Sequence, residues 1–477
     1  MINKTITKYT AVGLMMLCLW ACKIPALTNK TENKFVPAGY NNPQDSINSA
    51  TLQWKEYFTD PHLIALIDTA LVNNQELNII LQEIEIGKNE IRARKGEYLP
   101  FVGLKAGGGY QKDGRFTWRE AVNDNLDIKR HKKAVEANSE FSVAAYATWE
   151  LDIWKKLRNA KKAAVLRYLA SIEGKHFAVT NLVAEVANSY YELLALDNQL
   201  QIVQQNINIL NNALEIVKLQ KEATRVTELA VRKFEAEVLK TKSLQYGIQQ
   251  QIVETENRIN FLLGRYPQPI ARSSQSFSTL VPAAIQPGLP SQLLANRPDI
   301  KQAELELMAA KLDVQVAKAQ FYPSLAISAS FGYNAFNPVY LIRTPESLLY
   351  SLAGDLVAPL INKNAIKANY ANANAKQIQV VYNYERSLIH AYIDVANQLS
   401  KINNLRNSYN QKEQQVQALT QSISIANDLF RSARADYMEV LLTQRDALEA
   451  KMELVETKQQ QLNSFVDVYK ALGGGWK

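Results

Sequence analysis

Four histidines, His62, His131, His176 and His390, and two cysteines, Cys18 and Cys22, are the side chains best suited to metal binding or nucleophilic chemistry. That chemistry needs partners at fixed spacing: a second histidine one helical turn away for zinc, paired cysteines for a structural metal, or a base beside a thiol. The histidines stand singly, and no HExxH, CxxC, phosphate-loop or GxSxG string occurs. Gly107–Gly109 sits inside an extended segment and reads as close packing or a bend, and Gly473–Gly475 follows a long helical pattern and reads as its stop. The sequence therefore predicts no enzyme, no metal site and no cofactor.

One cysteine has a different chemistry open to it. Lys4 and Lys8 precede the apolar run Ala11–Trp20, then Ala21 and Cys22, the order of a secretory signal. LWAC at 19–22 resembles a bacterial lipoprotein signal, in which the cysteine is lipidated and becomes the new N-terminus. Residues 1–21 are read as signal peptide, Cys22 as the lipidation site and 22–60 as an N-terminal tail. A lipidated Cys22 leaves no thiol for a disulfide. Of the 477 residues, 47% are hydrophobic and 21% charged, with a mean hydropathy of -0.22. This excludes both disorder and a helical membrane bundle, and no internal stretch reaches the roughly 18 uncharged apolar residues of a membrane helix. The net charge of +8 is spread thinly, as on a solvated surface and unlike a nucleic-acid footprint.

The elements behind these residues come twice. YLPFVGLKAGGGY at 98–110 and FYPSLAISASFGY at 321–333 align at an offset of 223, which also pairs Lys95 with Lys318. WELDIW at 149–154 aligns with LVAPLI at 356–361, and VTEL at 226–229 with YMEV at 437–440, at offsets of 207 and 211. Each copy reads helix, two strands, long helix, turn, helix. The first spans 61–264, with strands about 101–117 and 138–154; the second spans 296–472, with strands about 323–337 and 346–361. A Pro- and Ser-rich linker, 265–295, joins them, and 473–477 is a C-terminal tail.

The strands alternate with a period of two. Phe141, Val143, Ala145, Ala147, Trp149, Leu151 and Ile153 form one apolar row, Leu325, Ile327, Ala329, Phe331 and Tyr333 a second, and Leu348, Tyr350, Leu352, Gly354, Leu356 and Leu360 a third. The opposite face carries serines and the carboxylates Glu150, Asp152 and Asp355. An unbroken apolar row with carboxylates behind it suits a transmembrane barrel strand, and the three acids are predicted to face the lumen. A half-buried sheet in a soluble sandwich shows the same alternation. The charged loop 116–138 is expected outside the cell, with a shorter counterpart at 334–347.

The helices are long. No Gly or Pro occurs from Leu360 to Leu472, and Leu182, Val186, Tyr190, Leu193, Leu196, Leu200, Val203, Ile207, Leu210, Leu214 and Val217 step by three and four, a coiled-coil seam. Val395, Leu399, Ile402, Leu405 and Tyr409 begin the same seam in the second copy. A helix from about 156 to 221 would be on the order of 100 Å long, which suits a rod or a tube wall. Four strands cannot close a barrel, and open edges are forbidden in hydrocarbon, so several chains must share one. Two copies would barely close it; three would give twelve strands.

PGLPSQLLANRPDI at 287–300, AKAQFYPSL at 317–325, NFLLGR at 260–265, WELDIW at 149–154 and KALGGGW at 470–476 together resemble the outer membrane factor (TolC-like) family, best its drug-efflux lipoprotein branch. The resemblance spans nearly the whole mature chain. It implies an α+β fold of mostly long helices: a homotrimer sharing a twelve-stranded transmembrane β-barrel, continued by a periplasmic α-helical barrel. The implied partners are a periplasmic adaptor, an inner-membrane pump of the resistance-nodulation-division type and outer-membrane lipid. The implied function is passive efflux of drugs or other toxic small molecules. Two helix-turn tips, with Thr224, Arg225 and Val226 in one and Arg434, Ala435, Asp436 and Tyr437 in the other, would meet the adaptor. By motif position Glu439 corresponds to an acidic gate residue, and Glu228 is its partner in the first copy. The sequence departs from the family pattern at Leu442, where many relatives carry a second acid, and in lacking the usual glycine at both tips. A duct for type I protein secretion or metal-ion efflux shares this architecture. A periplasmic adaptor lipoprotein is the alternative of a different class.

Overall fold

The alternating segments do form one sheet. The computed structural model describes residues 24–40, 47–114, 116–123, 125, 127–129, 132–133, 138–273, 277, 279–280, 286–432 and 434–476. The expected signal peptide and Cys22 lie outside them. In chain order the main elements are α1 (Pro61–Asn73), α2 (Gln75–Tyr98), β1 (Phe101–Gln111), β2 (Asn138–Leu151), α3 (Lys156–Glu222) and α4 (Glu228–Leu262). Then come α5 (Pro298–Ala319), β3 (Ser324–Ala335), β4 (Leu348–Val357), α6 (Asn364–Arg431) and α7 (Tyr437–Ala471). The chain divides into two compact units: one is Met1–Thr31, Glu85–Leu169 and Leu305–Val381, the other Glu32–Ile84, Ala170–Glu304 and Tyr382–Lys477.

The first unit holds the sheet, four antiparallel strands in the order β1, β2, β3, β4. The register brings the apolar rows onto one face: Leu104 aligns with Ala145, Phe331 and Tyr350, and Val102 with Ala147, Ala329 and Leu352. The other face aligns Gly103, Tyr146, Ser330 and Ser351, whose two serine hydroxyls lie 2.7 Å apart. Burial does not follow polarity here. Leu104 and Leu352 are 84% and 80% exposed, the reverse of what a water-facing sheet does with large aliphatics. β1 and β4 each keep one edge without a strand partner among the described residues.

Each strand stops short of its expected limits. Residues 112–114, 116 and 117 are not strand; a short helix, Trp118–Asn123, and a ribbon pairing Asp127–Lys129 with Lys132–Lys133 follow instead. β2 and β4 end before left-handed residues, Lys155 (φ 60) and Asn362 (φ 53), which turn the chain into α3 and α6. Within the sheet Gly332 is required by close approach. A Cβ there would overlap the carbonyl oxygen of Val143 and the Cα of Ala144, backbone atoms that cannot rotate away. The start of the chain also docks on this unit, with Ile24 and Leu27 against Ala317, Phe321 and Tyr370 and Asn374 Nδ2 donating to the Thr28 carbonyl at 3.1 Å.

The second unit is helical. Leu63 and Ile67 of α1 pack with Val186, Tyr190, Leu193 and Leu194 of α3, Ile259 of α4 and Tyr469 of α7. In α3 the seam is buried at all its positions but Leu200, which is half-buried; of the five seam residues named in α6, Val395 and Ile402 are buried and Leu399, Leu405 and Tyr409 half-buried. The linker is tied down by Arg272, which donates to Asp197 at 2.6 Å and pairs with Glu256. Past α7 the chain turns at Gly473 (φ +87), where a Cβ would lie 2.7 Å from the Asn296 carbonyl. Trp476 then stacks on His176 at 4.5 Å, with Lys301 Nζ 5.6 Å from its ring centre. No helix of the described residues is long and apolar enough to cross a membrane, and none of their His, Cys, Asp and Glu side chains group to hold a metal ion.

Candidate conduction site

Two sets of residues stand out, one on the polar face of the sheet and one at the helix-turn tips. On the sheet, Glu150 and Asp355 flank Ala326 in one cross-strand row, so they share the polar face with one strand between them. Glu150 is ion-paired with Lys156 at 2.5 Å. Asp152 is a correction. It lies one residue beyond β2, its side chain is only 2% exposed, and its carboxylate accepts from the backbone amides of Leu157 and Arg158, each at 2.9 Å. It holds the start of α3, where four amides lack helical partners. The alternation cannot register this, because the competing donors come from the next element.

At the first tip, α3 ends in a left-handed Thr224 (φ 57), whose neighbour Arg225 donates its amide to the Gln220 carbonyl at 2.9 Å. A non-glycine residue there carries backbone strain. Arg434 donates its amide to the Leu429 carbonyl at 2.9 Å in the second tip. Val226 and Tyr437 pack on a shared cluster of Leu214, Val217, Phe234 and Leu441, so the two tips meet through apolar contacts. Thr224, Arg225, Arg434 and Asp436 stay exposed and Ala435 is half-exposed.

The two tip acids differ. Glu228 sits between two cations, ion-paired with Lys221 and with Arg232 at 2.8 Å. The hydrogen bond from Lys221, together with its charge and that of Arg232, outweighs slight desolvation and holds the Glu228 carboxyl below the ordinary glutamate range. Glu439 is exposed, and at the offset of 211 its flanking positions are Ser432 and Thr443 instead of Lys221 and Arg232. Thr443 spends its hydroxyl on the backbone carbonyl of Glu439 at 2.7 Å. The clamp around Glu228 was readable from the spacing of Lys221 and Arg232 on either side of the turn, a signal that attention to the acids alone misses.

Comparisons with known proteins fit this arrangement. Residues 66–265 and 289–474 match the family described as outer membrane efflux protein, and the gap between the two stretches falls in the linker. The chain is 28% identical over 447 residues to the pyoverdine export outer membrane protein OpmQ of Pseudomonas aeruginosa, covering 93% of this chain and 90% of that one. It is 25% identical over 451 residues to the cation efflux system protein CusC of Escherichia coli K12, covering 94% of each. A crystal structure of CusC superposes with a TM-score of 0.81 at 24% identity, over 95% of this chain and 100% of that one. The open-state MtrE outer membrane channel of Neisseria gonorrhoeae gives 0.82 at 23% identity, over 95% and 99%. With most of its length matched, strands and helix pairs alike, the chain belongs to the outer membrane efflux protein family.

Proposed function

We propose that three copies of this chain pool their sheets into one twelve-stranded barrel in the outer membrane, and that the helices of its two internal repeats continue as a periplasmic α-barrel. The observation that carries this is the sheet with its large apolar side chains exposed and both edges open. In lipid such a sheet is stable only when neighbours close it, since each unpaired backbone group in hydrocarbon costs several kcal/mol. The left-handed residues Lys155 and Asn362 recur at the repeat offset of 207, and the half-open seam of α6 leaves apolar surface for a neighbouring copy. In mild detergent the protein is expected to have the mass of three chains plus micelle by light scattering; a purely monomeric species ends the shared barrel.

The duct is passive. It receives small molecules from a periplasmic adaptor docked at the tips and an inner-membrane pump of the resistance-nodulation-division type. Relatives are named for pyoverdine export, solvent efflux and cation efflux, and a conduit serving such different cargoes leaves recognition to the pump. Glu150 and Asp355 line the lumen in this reading, and Cys22 carries the lipid anchor. Ile24 and Leu27 pack on Ala317 and Phe321, just before β3. Cys22→Ser is expected to abolish incorporation of radioactive palmitate, and label persisting on the variant removes the anchor.

Glu439 is the gate residue and Glu228 is not, because only Glu439 lacks the paired cations. Three uncompensated carboxylates around an axis attract cations. Glu439→Ala is expected to lower cation preference in planar bilayers, whereas the paired substitution Glu228→Ala with Lys221→Ala, which removes a carboxylate together with its counter-ion and leaves Arg232 to Glu235, leaves it nearly unchanged. Equal effects of the two variants would demote the gate.

A further inference from the structure

One end of the sheet gathers the starts of β1 and β3 and the ends of β2 and β4, since Phe101 pairs with Thr148, Leu151 with Leu325 and Ser324 with Val357. Every passage between sheet and helix at this end bears an exposed lysine. Lys95 and Lys318 lie in the last turns of α2 and α5, Lys155 immediately precedes α3, with Lys162 in the second turn of that helix, and Lys367 lies in the first turn of α6. At the two helix C-terminal ends a cation complements the dipole. At α3 and α6 it opposes the dipole, and neither helix has an acidic residue in its first turn. Helix stability therefore accounts for Lys95 and Lys318 but not for Lys155 and Lys367. Nor does local pairing: Glu150 is matched to Lys156 and Asp152 to Arg158, while Asp355 lies on the polar face of the sheet. Lys155 even occupies a left-handed position that Asn or Gly would fill with less strain.

Apolar and aromatic groups sit among the lysines. Ile361 is 90% exposed. Trp154 stacks on Tyr322 at 4.6 Å, donates its indole N–H to the Pro323 carbonyl at 2.7 Å and keeps part of its ring exposed. An apolar body beside a polar tip suits the boundary between hydrocarbon and headgroups, and adjacent cations add attraction for phosphate.

We propose that this end of the sheet is a docking surface for anionic glycerophospholipid headgroups, with Lys155, Lys318 and Lys367 supplying the charge and Trp154 and Ile361 the apolar footing. The proposal rests on the sheet lying in lipid. It is tested on the detergent-solubilised full chain by native mass spectrometry, with equimolar phosphatidylglycerol and phosphatidylethanolamine of identical acyl chains. The expected result is retention of phosphatidylglycerol on the order of tenfold over phosphatidylethanolamine, a preference that falls as ionic strength rises. The triple variant Lys155→Gln, Lys318→Gln, Lys367→Gln is expected to lose the preference and the corresponding Lys→Arg triple to keep it. Lys233→Gln, Lys240→Gln and Lys242→Gln, on α4 in the helical unit, are expected to leave it unchanged. Equal retention of the two lipids by the parent chain, or an undiminished preference in the glutamine triple, overturns the docking surface while the membrane-embedded sheet stands. Retention of neither lipid overturns the membrane reading and the docking surface with it.

Discussion

Leu352→Arg is expected to prevent assembly of the channel, while Ser351→Arg, one residue away, is expected to be tolerated. Leu352 lies at the middle of β4, in a cross-strand row with Val102, Ala147 and Ala329, and 80% of its surface is exposed in the single chain. If that face meets hydrocarbon, an arginine near the bilayer midplane costs about 2–4 kcal/mol. A threefold assembly places three of them in one barrel, so the cost to the assembled species is on the order of three times that figure. Ser351 points to the opposite face, opposite Ser330, where a water-filled lumen accepts a charge. The measurement is the fraction of trimer extracted from outer membranes, compared between the two variants. In a soluble sandwich the ranking changes: the arginine on the exposed face is harmless and the one toward the packed face is not. Equal tolerance of both substitutions, or the reverse order, would falsify the lipid-facing assignment.

The period-two rows were legible because the physics behind them is local. Successive side chains on a strand must point to opposite faces, so Phe141–Leu151 and Leu325–Tyr333 carry their own face assignment, and the register then aligns them. The ends of the strands were not legible. Whether the chain leaves the sheet at Leu151 or at Trp154 depends on a left-handed residue at 155 and on amides of α3 that claim the Asp152 carboxylate. A pattern of apolar positions contains neither. The α3 seam was readable as a coiled coil and is buried in the single chain, whereas the equally regular α6 seam is half open. Periodicity tells which face of a helix is apolar, and it is silent on whether the same chain or a neighbour covers it. The tip acids show the same limit from the electrostatic side. Glu228 and Glu439 occupy equivalent positions, and only the residues flanking them, Lys221 and Arg232 against Ser432 and Thr443, separate a neutralised charge from an open one.

Arg297→Ala is expected to be the most destabilising truncation in the helical unit. Its position in the string NRPDI marks the start of α5, but its partners lie far away in sequence. Arg297 is 6% exposed. Nε and Nη2 hold both oxygens of Asp299 at 3.0 and 2.7 Å, and Nη1 donates to the Ala471 carbonyl at 3.1 Å and reaches Asp394 at 3.4 Å. One side chain thereby ties the entry of α5 to α6 and to the end of α7. Burial alone would lower its pKa, yet the hydrogen bonds and charges of Asp299 and Asp394 outweigh that and keep it cationic. Removing it leaves a buried carbonyl and two carboxylates without their shared cation, and breaking one side of such a pair costs about 3–5 kcal/mol. His390, 2.9 Å from Asp394, is mostly exposed and is a poor substitute, because one ring N–H cannot reach Asp299, Asp394 and the Ala471 carbonyl together. Arg297→Lys should recover only part of the loss, because an ammonium cannot span a bidentate carboxylate and a carbonyl at once. Loss of helical circular dichroism with guanidinium on detergent-solubilised protein should show a lower midpoint for Arg297→Ala than for Arg297→Lys, and lower for both than for the parent. A midpoint unchanged in Arg297→Ala would mean that the α5, α6 and α7 junction holds without its shared cation.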